Sequence, residues 1–312
     1  MNLLNRSLDN FAQPSLFGKH EPTRTDEVIS RLIRHLILNE ATSSDWTATE
    51  IVASNRPSSI RAYDQIPMQS EDLLCQVKLM TPYLAKKAVV FVGDHDSTSL
   101  LLGLLTKTDP EYRPSRITIV DFDERLLCRA LDFAQREGFS DILDVELYNV
   151  FDPVPGHLLR QFDWFYTNPP YGASNKGESA RLFITRGIEM SRPSAANACI
   201  ILPHDLQRDW TGIAMRATQF FLCNFGWTVD EKINAMHRYY LDDDKELASS
   251  VVIVKKDETL VNLETQLPYA GRRVAFDEIS RFYGRSTFQP YPRFIRLSGE
   301  YDWDWSTSRG EQ

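Results

Sequence analysis

Short apolar runs, each cut off by a polar or turn-forming residue and spaced by helical patterns, constrain this chain more than any other feature. Ala88-Val-Val-Phe-Val92 stops at Gly93, Arg116-Ile-Thr-Ile-Val120 at Asp121, and Val145-Glu-Leu-Tyr148 at Asn149. Asp163-Trp-Phe-Tyr166 runs up to Asn168, and Ala198-Cys-Ile-Ile-Leu202 is a fifth run. Leu100-Leu-Leu-Gly-Leu-Leu105 and the segment from Glu124 to Arg136 read as helices between them. Strand and helix signals in alternation predict an α/β fold with a parallel sheet and crossover helices. Trp227 to His237 and Ser249 to Val254 are two further segments beyond these runs.

Three regions follow. Residues 1–82 form an expected N-terminal helical domain. The segment from Glu27 to Leu38 carries a helical stripe of Val28, Ile29, Leu32, Ile33, Leu36 and Ile37. A second helix is placed after Thr47 as its cap, and a third carries Leu73, Leu74, Val77 and Leu79. Winged-helix modules have this character, and we read the unit as a packing or dimerisation element rather than a DNA reader. Residues 83–256 are the expected Rossmann-like catalytic domain. Residues 257–312 are a C-terminal extension whose last ten residues are expected to fray. Within it, Gly271 to Gly299 holds six arginines and two acids, interleaved with Phe276, Phe282, Tyr283, Phe288, Tyr291 and Phe294. Arginines among aromatics suit single-stranded nucleic acid; a packed extension with its arginines solvated or paired is the preferred reading.

Composition narrows the partners. The net charge is −8 and no basic face stands out, which disfavours nucleic acid and favours a small cation such as a polyamine. No apolar run approaches the ~20 residues of a membrane span, and the N-terminus lacks a secretory pattern. Cys75, Cys128, Cys199 and Cys223 are scattered without a C-x-x-C pair. Free thiols in a reducing cytoplasm are therefore expected, with no metal site.

Ligands of open parallel sheets bind outside the carboxyl ends of the strands, so the residues just beyond each run are the candidates. Asp121 closes the second strand, where an acid can accept both ribose hydroxyls of a nucleoside; Asp123 shares that turn or caps the next helix. After the third strand, Asn149 or Asp152 would meet the adenine edge. The first loop, Gly93-Asp-His-Asp-Ser-Thr-Ser99, lacks the further glycines that bring backbone N–H groups to an anion. Its Asp94 and Asp96, flanking His95, would repel a donor carboxylate and attract an ammonium, and one of them also caps the following helix. Asn168-Pro-Pro-Tyr171 is the most specific signal. The Asn168 side-chain carbonyl and the Pro169 carbonyl can accept hydrogen bonds from an amine and aim its lone pair, while Tyr171 shapes the acceptor slot by cation–π contact.

Tyr63-Asp-Gln65, the loop from Gly93 to Ser99, Val120-Asp-Phe-Asp-Glu-Arg125 and the proline pair near 169 together resemble the branched-chain polyamine synthases. The resemblance spans residues 60–255. It implies a Rossmann-like class I methyltransferase-type fold, with Trp227 to His237 and Ser249 to Val254 as its reversed antiparallel hairpin at the sheet edge. It also implies aminopropyl transfer from decarboxylated S-adenosylmethionine to a polyamine nitrogen, releasing methylthioadenosine. His95 stands where the family has its second acid, and Asn168 and Asn149 where it has acids before the proline pair and after strand three. Asp94 and Asp96 are the expected holders of an ammonium and candidate bases for the attacking amine. Two alternatives use the same residues: an S-adenosylmethionine-dependent amino-methyltransferase acting on a flipped adenine, and a catalytically silent nucleoside-binding sensor.

Overall fold

The computed structural model describes residues 23–240, 246–257, 259, 266–279, 282 and 291–306. Three helices, α1 (Thr23–Glu40), α2 (Ser43–Asn55) and α3 (Ser70–Leu84), precede a sheet whose first five strands are β1 (Ala88–Val92), β2 (Arg116–Asp121), β3 (Leu143–Leu147), β4 (Trp164–Thr167) and β5 (Asn197–Pro203). Helices α4 (Thr98–Thr106), α5 (Glu124–Glu137), α6 (Glu178–Met190) and α7 (Asp209–Asn224) lie between or beyond them. The long hairpin of β6 (Trp227–Tyr240) and β7 (Glu246–Lys256) completes a seven-stranded sheet in the order β3-β2-β1-β4-β5-β7-β6. Strands β1 to β5 are mutually parallel, and β7 runs antiparallel to both β5 and β6. The reversed last hairpin expected from sequence is present.

The pleat divides the core. Along β1, Val89 and Phe91 join the cluster covered by α3, α4 and α5, while Val90 and Val92 join the one covered by α6 and α7. All five β1 residues are buried, which is why the run has no polar alternation. Val52, Met68, Leu73, Leu74 and Val77 belong to the first of these clusters, so the N-terminal helices and the sheet share one core. Arg34 binds this layer together, donating to Asp72 and Glu71 on α3 and to the Met236 carbonyl on β6.

Several local expectations differ from the structure. Thr47 lies inside α2; the cap is Thr42, which forms a reciprocal capping box with Asp45. Of the α1 stripe, Val28, Ile29 and Leu36 are exposed, and Ile33 and Ile37 pack partly on the core. No strand occurs among the described residues of the N-terminal region, so it shows no wing. Strand β3 starts at Leu143, two residues before the apolar run. Past the sheet come a short helix, α8 (Phe276–Ile279), and the strands β8 (Phe294–Ile295) and β9 (Tyr301–Asp302). No described helix is long and apolar enough to cross a membrane. Tyr283, Phe288, Arg281, Arg285 and residues 307–312, the larger part of the segment expected to fray, lie outside the described residues.

Candidate active site

A cavity of about 820 Å³, open mouth included, lies at the carboxyl ends of β1, β2, β3 and β4. Each strand delivers a residue at or just beyond its end to it. Gly93 follows β1, and its φ of +73° turns the chain sharply out of the sheet. A Cβ there would sit 3.3 Å from Phe183 Cε1, so the turn and the close α6 packing both need glycine. Asp121 ends β2, Asn149 follows β3, and Asn168 follows β4. Proline at 169 cannot donate to a ladder, which stops β4 where the site begins.

Asp121 is nearly buried and accepts from the Asp94 and Asp123 backbone N–H groups at 3.1 and 2.9 Å. Burial, with the nearby Asp123, pushes its carboxyl up to about 7. Asp96 accepts from the Met68 N–H at 2.6 Å and from Asn168 Nδ2 at 2.6 Å, tying the first loop to the strand-four motif. His95 lines the cavity with its Nε2 2.9 Å from Ser59 Oγ; desolvation pulls its pKa down to about 4, leaving the ring neutral at pH 7.

The other expected residues sit elsewhere. Asp94 faces away from the cavity and caps α4, accepting from the N–H groups of Thr98 and Ser99. It does not do both jobs: of the two loop acids, only Asp96 reaches the cavity. Asp123 is fully buried as the cap of α5, paired with Arg125 and accepting from Gln65. Asp152 is clasped by Arg273 at 2.6 Å and Arg293 at 3.0 Å. Between Asn149 and Asp152, the cavity is therefore lined by Asn149, whose Nδ2 donates to the Arg293 carbonyl and whose Oδ1 accepts from the Phe151 N–H. Pro170 rather than Pro169 lines the cavity, and Tyr171 packs behind it against Tyr239.

Sequence reasoning missed the walls. The Tyr63-Asp-Gln65 run, which carries the resemblance but received no site role from sequence, lines the cavity together with Ile66. Phe122, Tyr148 and Phe151 line it beyond β2 and β3, and Tyr291 and Pro292 of the C-terminal extension add to its wall. Tyr63 holds these parts together, with ring centroids 5.8 Å from Phe122, 6.0 Å from Tyr291 and 5.9 Å from Tyr301. Among the described residues of the arginine-aromatic segment, Phe282, Tyr291 and Phe294 are buried and the arginines are ion-paired. Arg272 pairs with Glu278, Arg273 and Arg293 with Asp152, and Arg296 with Asp302. Arg56 clamps the first loop from outside the cavity, donating to the carbonyls of Asp96 and Met68, each at 2.9 Å. Its place in space has no counterpart in sequence spacing.

The strand order, the reversed hairpin and a cavity at the strand ends define a Rossmann-like fold of the class I methyltransferase type. Residues 47–271 match the family model described as the branched-chain polyamine synthase A C-terminal domain, and the chain belongs to that family. An uncharacterised protein of Methanocaldococcus jannaschii is 28% identical over 208 residues, covering 66% of this chain and 49% of that protein. The N(4)-bis(aminopropyl)spermidine synthase of Thermococcus kodakarensis is 32% identical over 139 residues, 44% of this chain and 36% of the relative. The chain thus spans about half the length, or less, of these relatives. The branched-chain polyamine synthase of Thermus thermophilus, solved in complex with N4-aminopropylspermidine and 5′-methylthioadenosine, shares the fold with a TM-score of 0.56 at 20% identity, covering 74% of this chain and 67% of that one.

Proposed function

We propose that the protein transfers an aminopropyl group from decarboxylated S-adenosylmethionine to a polyamine nitrogen. One observation carries this reading: among the described residues lining the cavity there is no lysine or arginine, but there are three carboxylates, Asp64, Asp96 and Asp121. Such a wall favours ligands that carry ammonium groups and disfavours a donor bearing a carboxylate. Family membership and the name of the Thermococcus relative support the same reaction class.

In the mechanism, Asp121 accepts the two ribose hydroxyls, and Asn149 with Val150 and Phe151 borders the adenine. Asp96 and Asp64 receive the ammonium groups of donor and acceptor. The attacking nitrogen donates to Asn168 Oδ1, which aims its lone pair at the donor carbon. A C–N bond forms as the C–S bond breaks, methylthioadenosine leaves, and the proton shed by the nitrogen passes to Asp96 as base. Holding both reactants in line provides much of the acceleration. Tyr171, packed behind the wall, has no direct contact with the polyamine in this scheme.

The test is release of methylthioadenosine by purified protein from decarboxylated donor and spermidine, independent of added nucleic acid. Asp96→Asn should abolish most of the turnover. Methyl transfer from S-adenosylmethionine to adenine in an oligonucleotide, with no aminopropyl reaction, would replace this reading with the amino-methyltransferase. Tight nucleoside binding without either reaction would favour the sensor.

A further inference from the structure

Behind the cavity wall, three side chains close a ring of hydrogen bonds. Asn168 Nδ2 lies 2.6 Å from Asp96 Oδ2 and 3.0 Å from Tyr239 Oη. Tyr171 Oη donates to Asn168 Oδ1 at 3.2 Å. Tyr239 and Tyr171 are hydrogen-bonded to each other and their rings pack edge-on with centroids 6.2 Å apart. The directions follow from chemistry. A carboxylate has acceptors only, so the Asn168 atom facing Asp96 must be the NH2 nitrogen. Its second hydrogen then goes to Tyr239, whose own hydrogen is left for Tyr171, whose hydrogen in turn goes to Asn168 Oδ1. Each member donates once and accepts once around the ring, an arrangement in which the bonds reinforce one another. Beyond it, Ser249 bonds Tyr171 and lies 3.1 Å from His237 Nδ1, so the ring is anchored in a buried pair of the β6–β7 hairpin, where His237 faces Ser249.

Resting on the polyamine reading above, we infer that Tyr239, acting with Tyr171, is the positioning residue that locks the Asn168 amide so that it offers the attacking amine an acceptor and no donor. Both amide hydrogens are spent inside the protein, and one Oδ1 lone pair is left for the cavity. An unlocked amide could turn its NH2 toward the nitrogen and compete for the lone pair that must attack. Tyr239 does not line the cavity and is 3% exposed, so it acts only through Asn168.

Tyr239→Phe keeps the ring packing and removes the hydroxyl. Turnover should fall on the order of 10- to 100-fold, the scale set by misplacing a reacting group. Methylthioadenosine affinity, by contrast, should stay within about twofold, because the lost contact is not to the donor. Tyr171→Phe should behave alike, and the double variant should lose no more than the worse single one, since one ring is broken in each case. A second readout does not need activity. The Asn168 side-chain amide protons, assigned by their loss in Asn168→Asp, should exchange slowly in wild-type protein and quickly in Tyr239→Phe. Unchanged turnover in Tyr239→Phe of an active enzyme, an equal loss of donor affinity, or fast amide exchange in the wild type would each overturn the inference. Absence of aminopropyl transfer in the wild type, with slow exchange that Tyr239→Phe abolishes, would sink the polyamine reading and leave the lock standing.

Discussion

Methylthioadenosine affinity should depend on pH through Asp121, and asparagine at that position should remove the dependence. The residue is 7% exposed, and burial with the nearby Asp123 pushes its carboxyl up to about 7. Its oxygens each take one backbone N–H, from Asp94 and Asp123, and keep lone pairs for the cavity. Ionised, it can accept both ribose hydroxyls; protonated, it becomes a donor at one oxygen and loses one of them. Hydrogen bonds to a charged group contribute about 1.5–3 kcal/mol each against about 1 kcal/mol for a neutral one. Asp121→Asn should therefore cost roughly 2–4 kcal/mol, a Kd raised roughly 30- to 1000-fold. In the wild type, affinity should weaken by up to about tenfold per pH unit below about pH 7 and level off above about pH 8, because the ionised fraction falls at that rate. Calorimetry across this range, in two buffers of different ionisation enthalpy, also counts the proton released on binding. Asp94, pushed up to about 8 by burial, titrates in the same window but caps α4 away from the cavity. If Asp94 caused the pH dependence, it would survive in Asp121→Asn. A flat wild-type profile, or an Asp121→Asn protein with unchanged affinity, refutes the ribose assignment.

The same two acids make the ligand-free protein less stable toward alkaline pH. Their folded pKa values are raised above the unfolded value of 3.8, so their stabilisation is complete below about pH 4 and is lost as pH rises through about 7 and about 8. Asp121→Asn should lessen the decline between about pH 5 and 8 by on the order of 3 kcal/mol, read by urea unfolding at each pH. Asp152→Ala leaves the buried Arg293 without that carboxylate and should lower unfolding free energy by about 3–5 kcal/mol. It should also weaken methylthioadenosine binding, because Tyr291 and Pro292 lose their anchor. Gly93→Ala, at φ +73° and 3.3 Å from Phe183, should cost about 1–2 kcal/mol from backbone strain alone. Phe183→Leu should restore only the steric part, as thermal melts of the double variant would show.

The sheet was legible because its evidence is local. Runs such as Ala88–Val92 and Ala198–Leu202 are apolar at consecutive positions only if both faces are covered, and the first ends where the cavity residue Gly93 begins. Asp121, Asn149 and Asn168 could be placed because strand ends are fixed points of this fold. What could not be read depends on which way a side chain turns after the strand stops. Asp94 and Asp96 are indistinguishable in sequence, yet the helix beginning at Thr98 takes the first as its cap and leaves the second for the cavity. Asn149 and Asp152 are likewise separated only by the two arginines reaching back from 273 and 293. Thr42 and Thr47 have the same residue chemistry, and only the reciprocal bonds between Thr42 and Asp45 single out the true cap. Tyr239 gave no signal at all, since a tyrosine in an edge strand looks like any other strand aromatic until its hydroxyl is seen to meet Asn168.

On the polyamine reading, the first loop is built for a cationic ligand. A glycine-rich turn leaves the N-terminal N–H groups of the next helix open toward the cavity, where they suit an anion. Here the N–H groups of Thr98 and Ser99 are both satisfied by Asp94, so that end of α4 has spent its anion-binding capacity inside the protein. The cost is a buried carboxyl held up at about 8, which the serine and backbone donors only partly relieve. On the other side of the same turn, Asp96 faces the cavity with Asn168 donating to it. One acid thus occupies N–H groups at the helix end, while its neighbour two residues on faces the cavity, where the polyamine reading puts ammonium groups. On the polyamine reading, the loss of the extra glycines is part of the specificity, because a loop that kept them would present N–H donors where a decarboxylated donor has nothing to give them.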